Sequence, residues 1–156
     1  MPQSGDLLRR YLAESSEAAF AEFVRSHLNL VYFTALRRTG NSHIAEEVAQ
    51  SVFTLAARSA HRLVNHPQLT AWLYTTTRNL AEKARRTEER RRHREHQIPF
   101  MQENSSASAH VDWDQVRPHI DQALDQLNPS DRQAVLLRYF ENRPYSEIGS
   151  LLGSST

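Results

Sequence analysis

The chain has no cysteine. Disulfides, a thiol nucleophile and a thiolate metal site are therefore excluded, and the cytoplasm is the expected location. Glycine is nearly as scarce: Gly5, Gly40, Gly149 and Gly153 are scattered, so neither a phosphate-cradling loop nor a nucleophile elbow can be built. No apolar run approaches the roughly 18 residues of a membrane span. Residues 1–6 are polar with no apolar segment after them, so no secretory leader and no membrane partner are expected. Lysine occurs once, at Lys83. The other 18 of the 19 cations are arginine, whose planar fork suits phosphate better than a point charge does. Clean period-two alternation is missing too, which leaves few candidates for strands.

What is present is the composition of a helical globular protein. With 156 residues, 39% hydrophobic and 24% charged, the chain can hold one ordinary domain or two small helical ones. Apolar residues recur at spacings of three and four almost throughout, so the expected class is all-α. The net charge of +1 conceals an asymmetry. Residues 1–111 carry 15 basic and 11 acidic side chains, net +4, whereas residues 112–156 carry 4 and 7, net −3.

Taken in order, a short helix is expected over 7–13. Ser15 or Ser16 then caps a longer one, with Glu17 in the first turn, where the helix dipole favours an acid. Phe20, Phe23, Val24, His27, Leu30, Val31 and Thr34 mark its buried side, and Gly40-Asn41 ends it. His27 on that side reads as a packed core histidine rather than a ligand. Ser42 is the expected cap of a helix over 43–58 that buries Ile44, Ala45, Val48, Val52, Leu55 and Ala56. On another side Glu46, Gln50, Phe53 and Ala57 recur at i, i+4, i+7 and i+11. Phe53 there is either the edge of a wide buried arc or an apolar anchor for a partner protein, ringed by polar groups. Residues 59–68, SAHRLVNHPQ, read as a loop that presents His61, Arg62, Asn65 and His66.

The next stretch organises the rest. Leu69, Trp72, Leu73, Thr76, Leu80 and Ala84 fall within one arc of a helix and predict its buried face. Tyr74, Arg78, Glu82 and Arg85 lie opposite, with Thr75 and Arg86 beside them. Over residues 83–94 seven basic side chains face two acidic ones, a local charge of +5. A helix anchored at one end and arginine-rich at the other can dock on a polyanion. Trp72, Tyr74 and Asn79 add ring and amide groups suited to exposed bases, which a purely solvated charged helix would not need. His93-x-x-His96 has the spacing of two ligands on one helix face, but the neighbouring arginines oppose a cation, and no metal is expected there.

Small polar residues over 103–109 predict a flexible linker at 97–111, with a first domain at 1–96 and a second at 112–156. In the second, Trp113, Val116, Ile120, Ala123, Leu124 and Leu127 share one helix face. Asn128-Pro129-Ser130-Asp131 forms a turn and cap with Pro near N1. Residues 134–140 are apolar nearly all round, and Asn142-Arg143-Pro144 breaks that helix. A short helix over 145–152, with Ile148, Leu151 and Leu152 inward and Gly153 as its C′ residue, then leads to a Ser154-Ser155-Thr156 cap. That order is the first half of a helix-turn-helix, with the recognition helix expected beyond Thr156.

Three motifs in this order resemble the extracytoplasmic-function (ECF) sigma factors of bacterial RNA polymerase. AEEVAQSVFTLA at 45–56 is similar to the family's polymerase-binding helix, with Ser51 where an acid is usual. TAWLYTTTRNLAEKARR at 70–86 is similar to its promoter-melting helix. ALDQLNPSDRQAVLLRYFENRPYSEIGSLLGSST at 123–156 looks like the start of its region 4, with Pro144 where a serine cap is common. The resemblance implies two small helical domains, a region 2 bundle and a partial region 4, joined by a linker. It implies promoter opening without catalysis or cofactor. Glu46, Glu47, Gln50, Phe53 and Thr54 would grip the β′ coiled coil of core polymerase, and the second domain would meet the β flap. His61, Arg62, Asn65, His66, Trp72, Tyr74, Thr75, Arg78 and Asn79 would hold the unstacked non-template strand of the −10 element. Arg85 and Arg86 would hold its phosphates. An anti-sigma factor is the implied regulator. With no recognition helix, reading of an upstream duplex element is not expected. Two other readings are a polymerase-binding regulator that never opens DNA and a helix-turn-helix regulator of double-stranded DNA.

Overall fold

Local chemistry sets several helix ends in the computed structural model, which describes residues 3–95 and 113–153. Helix α1 (Ser4–Glu14) turns at Ser15, φ 51°, into α2 (Glu17–Thr39). The Ser16 hydroxyl accepts the Ala19 N–H and starts α2; Gly40, at φ 65°, ends it with its N–H on the Leu36 carbonyl. Helix α3 (Ser42–Arg58) is capped by Asn41, whose Oδ1 accepts the Ile44 N–H at 3.1 Å, and not by Ser42 as expected. Both side chains are competent caps. The backbone decides, because residue 41 is extended (φ −137°, ψ 119°) and Ser42 is already helical. Within the expected loop a single turn, α4 (Ala60–Leu63), forms and buries Ala60 and Leu63. Helix α5 is Leu69–Arg94.

Helices α2, α3 and α5 pack on one another, and α1 lies against α2 and α4. Their shared core holds Phe23, Leu30, Val31, Val52, Leu73 and Tyr74, with His27 among them. His27 is 1% exposed, as a core histidine should be, and Leu55, expected inside, is 39% exposed.

The second unit comprises α6 (Trp113–Gln126), α7 (Pro129–Val135), a π-helical turn at Leu136–Phe140 that continues it, and α8 (Tyr145–Leu151). Asn128 caps α7 by accepting the Asp131 N–H, with Pro129 at N1, as the sequence predicts. The helix expected to run on through 140 instead widens: the Glu141 N–H reaches back to the Leu136 carbonyl. Asn142, at φ 54°, then turns the chain. Leu124, Leu136 and Leu137 are buried, but Ala123 and Leu151, expected inward, are exposed. α6 lies on α2, and α7 and the π turn lie on α5, so Leu124 and Leu136 join the first unit's core. The expected linker, the domain ends beside it, the Trp113 side chain, His96 and the cap at 154–156 lie outside the described residues. Among the described residues there is no strand, and no helix long and apolar enough to cross a membrane.

Candidate partner groove and nucleic-acid surface

Two surfaces concentrate the candidate residues. The first is an open groove of about 920 Å³ between α2 and α3. From α3 it is lined by Glu46, Ala49, Gln50, Phe53, Thr54 and Ala57. Phe53 is 7% exposed and meets Phe23 edge-on, ring centroids 6.4 Å apart, so its ring belongs to the core while its rim forms the groove floor. The core reading of Phe53 therefore holds, and the edge of the same ring lies in the groove. Glu46, Gln50 and Thr54 are exposed around it, and the Thr54 hydroxyl donates to the Gln50 carbonyl at 2.7 Å. Glu47 lies outside this groove and pairs with His43 at 3.2 Å. The sequence places Phe20 and Val24 of the far wall on the buried side and misses the rest: Phe20, Val24, Leu28 and Tyr32 recur every fourth residue along α2, with Phe33 beside them. That stripe runs parallel to the core stripe, and Leu28 and Phe33 are 42% and 47% exposed. An apolar stripe on an outer helix face, next to polar groups that ring it, is the signal that marks a protein-binding surface.

The second surface is α5 with the segment before it. His61, Arg62, Asn65, His66, Thr75, Asn79 and Arg86 are exposed, and Trp72 is half-buried. Asn65 and His66 border a polar cleft whose other walls include Ser4, Asp6 and Arg9 of α1, Thr70 and, from the second unit, Gln133, Glu141 and Arg143. Tyr74 departs most from expectation. It is 2% exposed rather than on a free face, because the helix is covered from two sides. One stripe, Leu69 and Leu73, meets the bundle; the next, Thr70, Tyr74, Thr77 and Ala81 at i, i+4, i+7 and i+11, is buried as well. The Tyr74 hydroxyl donates to Asp121 Oδ1 at 3.0 Å. Burial, and then the charge of Asp121, push that phenol well above the usual range, so it stays a donor.

Arg78 stacks over Tyr74, 5.7 Å from the ring centroid, and forms an ion pair with Asp125. Burial opposes its charge, but the Asp125 hydrogen bond and the surrounding negative groups outweigh that and raise its pKa. Further along, the helix neutralises part of its own charge. Glu82 takes Arg85 at 2.7 Å, Arg38 at 2.9 Å and Arg86 at 3.4 Å, and Arg85 also reaches Glu89. The Arg85 hydrogen bond, assisted by Arg38 against a smaller burial effect, holds the Glu82 carboxyl at about 2, below its ordinary 4.5. Arg91 and Arg92 share Glu88. These i, i+3 and i, i+4 pairs stiffen the helix while its arginines stay at the surface. No group of side chains able to hold a metal occurs among the described residues.

The family model described as sigma-70 region 2 matches residues 23–91, and that described as sigma-70, region 4 matches residues 119–156. The RNA polymerase sigma factor CarQ of Myxococcus xanthus is 31% identical over 147 residues, covering 91% of this chain and 81% of that protein. The ECF RNA polymerase sigma factor SigE of Mycolicibacterium smegmatis is 30% identical over 145 residues, 90% of this chain but 55% of that longer relative.

Proposed function

This chain belongs to the sigma-70 family of RNA polymerase sigma factors, in its ECF group, and we propose from that premise how its two surfaces divide the work of transcription initiation. The family acts by binding core polymerase and promoter DNA and is generally non-catalytic, so the surfaces act by recognition alone. The α2–α3 groove takes the β′ coiled coil of core polymerase. Phe53 and Phe33 supply apolar contact, and Glu46, Gln50 and Thr54 the polar rim, with Glu47 at its outer edge. On α5 and the segment before it, Trp72, Thr75, Arg78 and Asn79 hold the unstacked non-template strand of the −10 element, while the buried Tyr74 positions α5 against Asp121. His61, Arg62, Asn65 and His66 form the adjoining pocket, and Arg85 and Arg86 hold phosphates. Contacts made only to the open strand offset the cost of unpairing, at roughly 1–3 kcal/mol per stacked base.

The observation that carries this reading is the exposed apolar stripe of α2 facing Gln50 and Phe53 across the groove, which nothing in this chain covers among the described residues. Run-off transcription with core polymerase tests it. The chain should direct initiation from a double-stranded promoter as well as from a copy whose −10 region is already unpaired. Initiation only from the unpaired copy, with core binding retained, would instead identify a polymerase-binding regulator that does not open DNA.

A further inference from the structure

We propose that Ser4, His27 and Glu141 form a serine-nucleophile site that takes an acyl group from a small ester in the polar cleft beside α1. The three side chains stand in line. The Ser4 hydroxyl lies 2.8 Å from His27 Nε2, and His27 Nδ1 lies 2.5 Å from Glu141 Oε1. A carboxylate can only accept, so on the neutral ring Nδ1 carries the proton and Nε2 turns its lone pair to Ser4. The hydroxyl therefore donates to the imidazole, which is the direction a general base requires. Glu141 is itself oriented: the Thr70 hydroxyl donates to it at 3.3 Å, and Arg143 stands 3.8 Å away. The His27 and Glu141 side chains are both 1% exposed, and the Phe23 ring packs on the imidazole at 4.7 Å between centroids. Base and acid are thus held dry and in one geometry.

Ser4 is the member that reaches solvent. It is the first residue of α1, is half-buried, and lines the cleft of about 250 Å³. The next residue is Gly5, where a Cβ would stand 3.0 Å from the Val64 carbonyl, so glycine lets the start of α1 close against that wall of the cleft. The first N–H groups of a helix have no partner within it, and those of Asp6 and Leu7 both return to the Gln3 carbonyl. The Ser4 and Gly5 N–H groups come before them, at the end where the helix dipole favours an oxyanion. The cleft is small and its walls carry the Arg9–Asp6 and Arg143–Glu147 pairs, which suits a polar acyl group of a few carbon atoms. Attack by Ser4 Oγ on the ester carbonyl forms the new C–O bond as its proton passes to His27 Nε2. Collapse of the adduct breaks the bond to the leaving alcohol, which departs with that proton and leaves acyl-Ser4. Water entering by the same route releases the carboxylic acid and restores the serine.

The test uses the full chain and a fluorescent fluorophosphonate, which bonds to an activated serine with loss of fluoride, followed by mass mapping of the labelled peptide. Ser4 should label at least about tenfold faster than any other serine, and the preference should vanish in urea. Ser4→Ala should abolish the label, and it should lower the release of 4-nitrophenol from 4-nitrophenyl acetate. Glu141→Gln keeps the size and a hydrogen bond to Nδ1 but removes the charge, and should slow labelling about tenfold. A further measurement does not need that buried variant to fold. Because cysteine is absent, Ser4→Cys supplies a lone thiol. With His27 drawing off its proton, iodoacetamide near neutral pH should alkylate it about tenfold faster in the folded chain than in urea. A hydrogen-bond chain that only supports the fold would instead shield the thiol and slow its reaction on folding. Serines labelled at equal rates, ester cleavage unchanged in Ser4→Ala, or a Ser4→Cys thiol that reacts faster unfolded would each overturn the site.

Discussion

Replacing Phe53 and Phe33 by alanine, one at a time, separates the two roles of the α2–α3 groove. Phe53 is 7% exposed and packs edge-on against Phe23, whereas Phe33 is 47% exposed on the opposite wall. Phe→Ala at a closed core site costs about 3–5 kcal/mol. The rim of Phe53 faces an open groove into which side chains and water can relax, so the lower end, about 3 kcal/mol, is expected. Loss of the ring pair accounts for roughly 0.5–1.5 kcal/mol of that figure. For Phe33, only about half of a side-chain transfer of roughly 1.5–3 kcal/mol is at stake, so about 1 kcal/mol is expected. Thermal unfolding followed by circular dichroism should therefore show Phe53→Ala lowered by roughly 6–12 °C and Phe33→Ala by only a few degrees. Affinity for core polymerase should rank differently. Phe33→Ala combined with Gln50→Ala should lose at least about 2 kcal/mol of binding while the fold persists, as truncated anchors do. If Phe33→Ala melts as low as Phe53→Ala, or if Phe53→Ala melts like the parent, the division of this groove into floor and wall is wrong.

Other expectations follow from α5 and the buried pair. The folded Glu82 carboxyl lies at about 2 against an ordinary 4.5, so its contribution is complete above pH 4.5 and is lost as pH falls toward 2. Glu82→Gln should cost about 1 kcal/mol at pH 7, shrink with salt, and converge with the parent below pH 2 in urea titrations. Arg85→Ala with Arg86→Ala should reduce the salt slope of DNA binding by roughly one unit for each phosphate no longer held. Thr75→Ala with Asn79→Ala should slow open-complex formation at unchanged slope, and equal slopes in all three proteins would refute the assignment. His27→Ala leaves the Glu141 carboxylate buried with Thr70 and Arg143 only, and should destabilise the chain by about 2–3 kcal/mol in urea unfolding. Replacing Glu141 by glutamine in the same chain should recover part of that loss.

Helix ends and helix class were legible in the residues themselves. Ser16, Gly40 and the Asn128-Pro129 pair act on N–H and carbonyl groups within a few residues, so the information that sets them is local. The periodicity of α2 and α3 was legible for the same reason, including His27 as a packed residue. Ambiguity entered where neighbours are equally able: Asn41 and Ser42 can both cap, and backbone geometry chose between them. Phe53 lies at an angle that belongs to core and rim at once, and only the position of Phe23 and the α2 stripe shows that its ring is core while its edge floors the groove. Tyr74 shows the limit most clearly. A helical wheel gives a residue's direction around its own axis, but whether that direction meets solvent depends on where a second unit comes to rest. Here that unit brings Asp121, 47 residues away, onto the Tyr74 hydroxyl, and Glu141, 114 residues away, onto His27. The widened turn at Leu136–Phe140, the inward carboxylates and the exposed Leu151 all belong to that packing. Helix by helix, propensity and capping are near-neighbour energies that a linear chain carries openly; which faces pair is decided by contacts between segments far apart, and no window along the sequence contains both partners.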